Sequence, residues 1–207
     1  MTKGLNKYSH FNIEKIIQVL AYIQRKTGTR SKLELIKYLF FADRINIRRH
    51  FSFISRDYYY ALKLGPVASE TLDVLDKHDE YLNYPENELR LLDKIEVKDS
   101  RTRIINETNT DLLSKNEMKS IDFVTDTFKS SMPLVELTHE YPEWKRYKEL
   151  FDNKQASKLD VQIEDFFTNP DLNSSPYLMK HLGKDPLYED EMYLDEAKKF
   201  YLAEMAL

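Results

Sequence analysis

The chain has 207 residues, 42% of them hydrophobic and 32% charged, with a formal net charge of -4, 26 aromatic side chains (14 Tyr, 11 Phe, 1 Trp) and no cysteine. That composition is neither fibrous nor disordered, and the length suits one ordinary domain or one with a modest appendage. The missing cysteines exclude disulfides, thiolate nucleophiles, thiolate zinc sites and iron-sulfur clusters, and a reducing, cytoplasmic setting is expected.

The longest apolar run, Tyr38 to Ala42, is far short of the ~20 residues of a membrane helix. The polar N-terminus lacks the apolar core of a secretory signal, so no membrane association is expected. Charge is uneven: residues 1–63 carry 13 Lys/Arg against 4 Asp/Glu, and residues 64–207 carry 18 against 31. A basic front and acidic rear can steer partners, or attract each other within one fold.

Phe11 to Lys26 reads as a helix, with Ile13, Ile16, Ile17, Leu20 and Ala21 on one stripe, Asn12 as cap, a Phe11–Ile16 staple and Gly28 as stop. Ser31 and Glu34 form a capping box for a second helix reaching about Asn46; apolar on most sides, it is expected to be central. Ser52 to Leu64 suits a short strand or an extended approach. Gly65 then breaks the chain, and Pro66 is expected to start a third helix, Pro66 to Lys77. Leu91 to Asn106 reads as a β-hairpin turning at Asp99 and Ser100, the one clear β element.

Ser114 and Glu117 mark a helix from about Lys115 to Lys129, and Pro133 opens another that ends or bends near Pro142. Leu159 to Phe167 reads as a short amphipathic helix, Asn169 to Pro186 as a loop or tether, and Tyr188 to Leu207 as an acidic amphipathic helix with Tyr193, Phe200 and Tyr201 as a candidate partner-binding arm. The expected fold class is mainly α with a small β element, divided into a domain of residues 1–168 and a C-terminal appendage of residues 169–207.

With only four glycines, Gly4, Gly28, Gly65 and Gly183, the chain cannot build a glycine-rich phosphate loop, and it has neither a P-loop nor a GxSxG elbow. Glu136 and His139 give one Glu-x-x-His, which a di-iron bundle needs twice. His10, His50, His78 and His181 lack the matching glutamate, so neither a metal nor a cofactor is expected, and a hydrolase ranks last among the functions considered.

A winged-helix-like DNA-binding regulator is the alternative reading. Arg25 to Arg49 holds eight basic residues (Arg25, Lys26, Arg30, Lys32, Lys37, Arg44, Arg48, Arg49) against Glu34 and Asp43, and Lys98, Arg101 and Arg103 ring the hairpin tip. Against it, a helix apolar on most sides cannot lie in a major groove, and charges on a hairpin edge serve equally to prevent aggregation. Tyr58, Tyr59 and Tyr60 could stack on bases, but alternate strand residues face opposite sides and at least one must enter the core.

LIKYLFFAD (Leu35 to Asp43), YYYALKLGPVASETLDVLD (Tyr58 to Asp76) and LTHEYPEW (Leu137 to Trp144) resemble, in order, the three signature blocks of the Panacea domain, the SocA-like antitoxin family of bacterial and phage toxin-antitoxin pairs. The likeness covers roughly Ile13 to Phe167, and its most specific element is Ala61, Gly65, Pro66 and Val67. It implies a mostly helical, non-catalytic protein that neutralises a partner toxin by direct binding; one family member is similar in acting as an adaptor to a Clp protease. The residues it singles out as architectural or partner-binding are Lys37, Asp43, Tyr60, Ala61, Gly65, Pro66, Val67, Thr138, His139 and Trp144. One departure stands out: where the family commonly has a glycine after the first block, this chain has Arg49, His50 and Phe51.

Overall fold

The computed structural model describes residues 11–77, 85–105 and 107–205; His10, His78, Asn106, Ala206 and Leu207 lie outside them. Helix α1 (Ile13–Thr27) starts where Asn12 accepts the Lys15 amide at 2.9 Å and stops at Gly28, whose φ of 76° relieves the C-terminus. Helix α2 (Lys32–His50) carries the full Ser31–Glu34 capping box. It runs four residues beyond the expected Asn46, ending at Phe51 in the left-handed region with φ 58°.

Every residue of α2 from Leu35 to Arg48 is buried. It packs against α1, the strand β2 (Gly65–Ala68), α3 (Ser69–Asp76), α5 (Lys115–Thr127), α6 (Leu134–Thr138), α9 (Ile163–Phe166) and α11 (Glu191–Glu204). Its partnership with α5 combines the Phe41–Phe128 ring stack at 4.0 Å, the Tyr38 hydroxyl donating to Phe128 O at 2.8 Å, and Ser120 donating to Asn46 at 2.9 Å.

Two small antiparallel sheets accompany the helices. The expected hairpin forms as β3 (Ile95–Lys98) and β4 (Arg101–Ile104), with Asp99 and Ser100 both at positive φ, the backbone of a type I′ turn. It docks on α1, where the Gln24 side-chain amide donates to Thr102 O and accepts from the Ile104 amide.

The second sheet, ordered β2-β1-β5 from β1 (Tyr59–Leu62), β2 and β5 (Lys158–Asp160), corrects two expectations. Pro66 does not start a helix: it lies in β2, an edge strand, where a missing N–H leaves no ladder bond unmade. The helix begins at Ser69 and is capped from a distance, since buried Asp57 accepts the Glu70 and Thr71 amides at 3.0 and 2.7 Å. Leu159 likewise sits in a strand opposite Ala61, so the helix there is confined to Ile163–Phe166.

Asn169 to Pro186 contains helix α10 (Pro176–Leu182) with Pro176 in its first turn and Gly183 as its left-handed stop, φ 69°. The punctuation read as a tether marks the two ends of a helix. Leu178, Leu187, Leu194, Ala197 and Tyr201 are all buried. The short helices α4 (Glu86–Leu89), α7 (Pro142–Lys145) and α8 (Lys148–Asp152), with 3-10 helices at Arg90–Lys94 and Leu172–Ser174, complete the helical set among the described residues.

The uneven charge resolves inside the molecule. Lys15–Glu117, Lys26–Asp122, Lys32–Asp76, Arg44–Glu143 and Arg49–Glu189 all join the basic first third to the acidic remainder.

Candidate functional site

The three sequence blocks meet where α2, the β1–β2 turn and α6 touch. Lys37, on the buried face of α2, donates to Pro66 O at 2.9 Å, and its side chain has no exposure. Burial alone brings its pKa down to about 7. Gly65 has φ 99°, and a Cβ there would meet Thr138 Oγ1 at 2.5 Å and Lys37 Nζ at 2.6 Å. Glycine is required for both reasons: left-handed backbone and absence of space. Thr138 Oγ1 itself donates to Val135 O at 2.7 Å.

Beside this knot, His139, Trp144 and Phe151 form a column of stacked rings. The His139 and Trp144 centroids are 3.6 Å apart with planes 9° from parallel, and Phe151 lies 5.8 Å beyond Trp144. Trp144 Nε1 donates to Leu62 O at 2.8 Å, tying the column to the β1–β2 turn. Burial, and next the Lys37 ammonium, hold His139 down to about 4, so it is neutral at physiological pH. Its buried Nε2 has no hydrogen-bond partner.

The column floors an open cleft of about 1100 Å³. Leu64 and Tyr177, 52% and 40% exposed, stand on its walls. Lys63, Lys145, Lys148 and Lys154 rim it, together with the carboxylates Glu136, Glu140 and Asp152.

Two further buried groups organise the surroundings. Asp43 accepts from the Ile54 and Ser55 amides, the Ser55 hydroxyl and the Tyr59 hydroxyl (2.7 Å), fixing the chain after α2; burial raises its pKa against those bonds. Arg44 pairs with Glu143, lies 4.6 Å over the Tyr141 ring and donates to Asp165 O and Thr168 O. Arg48, one turn on, donates to Phe166 O, Asn169 Oδ1, Leu187 O and Thr168 O. Burial lifts Glu143 to about 7, against the pull of Arg44, and Asp165 to about 6, against Arg146.

Of the residues singled out in the sequence, Lys37, Gly65, Pro66, Thr138, His139 and Trp144 come together, and Ala61 packs in a cluster with Trp144, Tyr147 and Phe151. Asp43 lies apart, on Tyr59; Val67 is buried in the main core. Tyr60 is half-buried under the Lys158 ammonium, 3.5 Å from its ring centre. In the C-terminal helix Tyr201 is buried against Phe53 and Phe167, Tyr193 is half-buried, and Phe200 is 49% exposed with its ring on Phe51. Glu136 and His139 both line the cleft, but among the described residues no three His, Asp or Glu side chains gather as a metal site would require.

The eight basic residues of Arg25 to Arg49 do not form a phosphate-binding stripe. Lys37, Arg44 and Arg48 are buried; Lys26, Lys32 and Arg49 pair with Asp122, Asp76 and Glu189; Arg25 covers the Tyr22 ring and Arg30 donates to Thr27 O.

Sequence reasoning missed Asp57, Glu143 and Asp165 as buried partners, and Lys63, Leu64 and Phe151 as cleft residues. For Glu143 and Asp165 the signal was present, since Arg44, in a helix apolar on most sides, demands buried acceptors; for Asp57, which caps α3 from a distance, none was. For the cleft residues no sequence signal exists, because chain segments far apart assemble it.

No curated protein and no solved structure matches this chain. A family model does: residues 35–145 match the antitoxin SocA-like Panacea domain. The match contains Lys37, Gly65, Pro66, Thr138, His139 and Trp144, the residues that the fold brings together, and the chain belongs to the SocA-like Panacea antitoxin family.

Proposed function

We propose that this protein neutralises a toxin in the cytoplasm by direct protein–protein contact and without covalent chemistry of its own. The observation that carries the reading is the family match over residues 35–145. The site supports it: Lys37 and Asp43 of the matched blocks are engaged internally, on Pro66 O and on the loop after α2, while beside them lies an open cleft walled by exposed Leu64 and Tyr177. Open, partly apolar concavities with a polar rim suit a protein segment. A Clp protease enters the same reading as the consumer of the captured toxin. The DNA-binding alternative loses its support with the occupied basic residues of α1 and α2.

Co-expression with the product of the adjacent gene tests the reading. That product is expected to arrest growth alone and to be harmless together with this protein; an innocuous product, or undiminished toxicity, overturns it. Repeating the assay in cells lacking Clp protease separates capture, which survives, from delivery, which does not.

A further inference from the structure

We infer that the cleft over His139, Trp144 and Phe151 receives an acidic segment of the partner, with an apolar side chain seated beside Leu64 and Tyr177; the inference rests on the antitoxin reading.

The charges around the opening are unequally compensated. Of the three carboxylates, Glu140 is 3.5 Å from Lys145 and accepts the Tyr177 amide, and Asp152 pairs with Lys148. Only Glu136 is left to set against Lys63 and Lys154, neither of which has a carboxylate partner among the described residues. The opening therefore carries one positive charge in excess, four lysines against three carboxylates, and the surplus is Lys63, brought from the basic first part of the chain. Two lysines without carboxylate partners facing a single free carboxylate attract acidic segments and repel basic ones.

Backbone geometry places both lysines at the mouth. Lys63 and Leu64 are the two residues of the β1–β2 turn, and Gly65 behind them takes the positive φ that lets the turn close. The Gly65–Thr138–Lys37 contact and the Trp144 bond to Leu62 O hold that turn from beneath, so Leu64 projects from a rigid base. Lys154 holds φ 55° after α8, a position where glycine costs less. The apolar exposure and the uncompensated charge thus share one rigid concavity, the arrangement expected of an anchor pocket with a charged rim.

Trp144 is the sole tryptophan, so its fluorescence reports on the cleft alone. The probe is a twelve-residue tryptophan-free peptide with Asp and Glu flanking a central Leu-Phe pair, titrated into the full chain beside a counterpart bearing Lys at every acidic position. The acidic peptide is expected to shift the emission saturably and to weaken as salt rises. Lys63→Glu and Lys154→Glu should each weaken it about fivefold, while Lys98→Glu on the distant β3 should not. Equal response to both peptides, no response to either, or indifference to both cleft reversals overturns the inference.

The product of the adjacent gene separates the two claims. If the acidic peptide binds and that product does not, the cleft assignment stands and the antitoxin reading falls. If the product binds the Lys63→Glu, Lys154→Glu double variant as tightly as the wild type, the cleft assignment falls and the antitoxin reading stands.

Discussion

A Cβ placed on Gly65 would lie 2.5 Å from the Thr138 hydroxyl oxygen, so the second and third sequence blocks are in contact through a position that tolerates no side chain. Gly65→Ala should cost about 3 kcal/mol, the sum of left-handed strain and overpacking. Thr138→Ala should recover only part of that loss, because Lys37 Nζ at 2.6 Å remains in the way. Chemical denaturation of the single and double variants measures both; full rescue would show that Lys37 yields freely.

Lys37 gives a pH test with a definite sign. Its folded pKa is lowered from 10.5 to about 7, so its contribution to stability is present above 10.5 and is lost as pH falls through 7. Lys37→Met removes that dependence. The melting temperature of the variant relative to wild type should be highest at pH 6 to 7 and decline steadily toward pH 10; a gap independent of pH contradicts the buried-ammonium account.

Arg44 and Glu143 are both fully buried, where the desolvation of two charges consumes most of their attraction. Arg44→Met leaves Glu143 unpaired and should cost about 3–5 kcal/mol, whereas Arg44→Met with Glu143→Leu should recover most of it. A double variant as unstable as the single one would mean that the Arg44 bonds to Asp165 O and Thr168 O matter more than the ion pair.

Deleting residues 187–207 removes Leu187, Leu194, Ala197 and Tyr201 from the core and an acceptor from Arg48. The melting temperature should fall by more than roughly 10 °C, and Arg48→Met should speed hydrogen exchange in α11. Unchanged stability would instead assign the segment to a detachable arm.

The legible parts of the fold were those whose signals are local. Asn12, the Ser31–Glu34 and Ser114–Glu117 boxes, and the Asp99–Ser100 turn each act within a few residues, and they located α1, α2, α5 and the β3–β4 hairpin. In the β2-β1-β5 sheet, β5 was illegible because its three residues pair with β1 across a long stretch of chain, and β2 because Pro66 suits an edge strand as well as a helix start. Phe51 shows the same limit: it ends α2 in a left-handed conformation without being glycine, with its ring on Phe200. The site was half legible. Its motif residues were named from the blocks, but the lysine rim and the Arg44 and Arg48 acceptors exist only once residues far apart in the chain are packed together.

Calorimetric titration of the purified full chain with the purified product of the adjacent gene tests the central claim most directly. The account predicts a saturable, stoichiometric complex of micromolar affinity or tighter that co-elutes on gel filtration and changes Trp144 fluorescence. Absence of heat and separate elution, in a pair that nevertheless shows growth rescue on co-expression, would contradict it, because protection would then be achieved without contact.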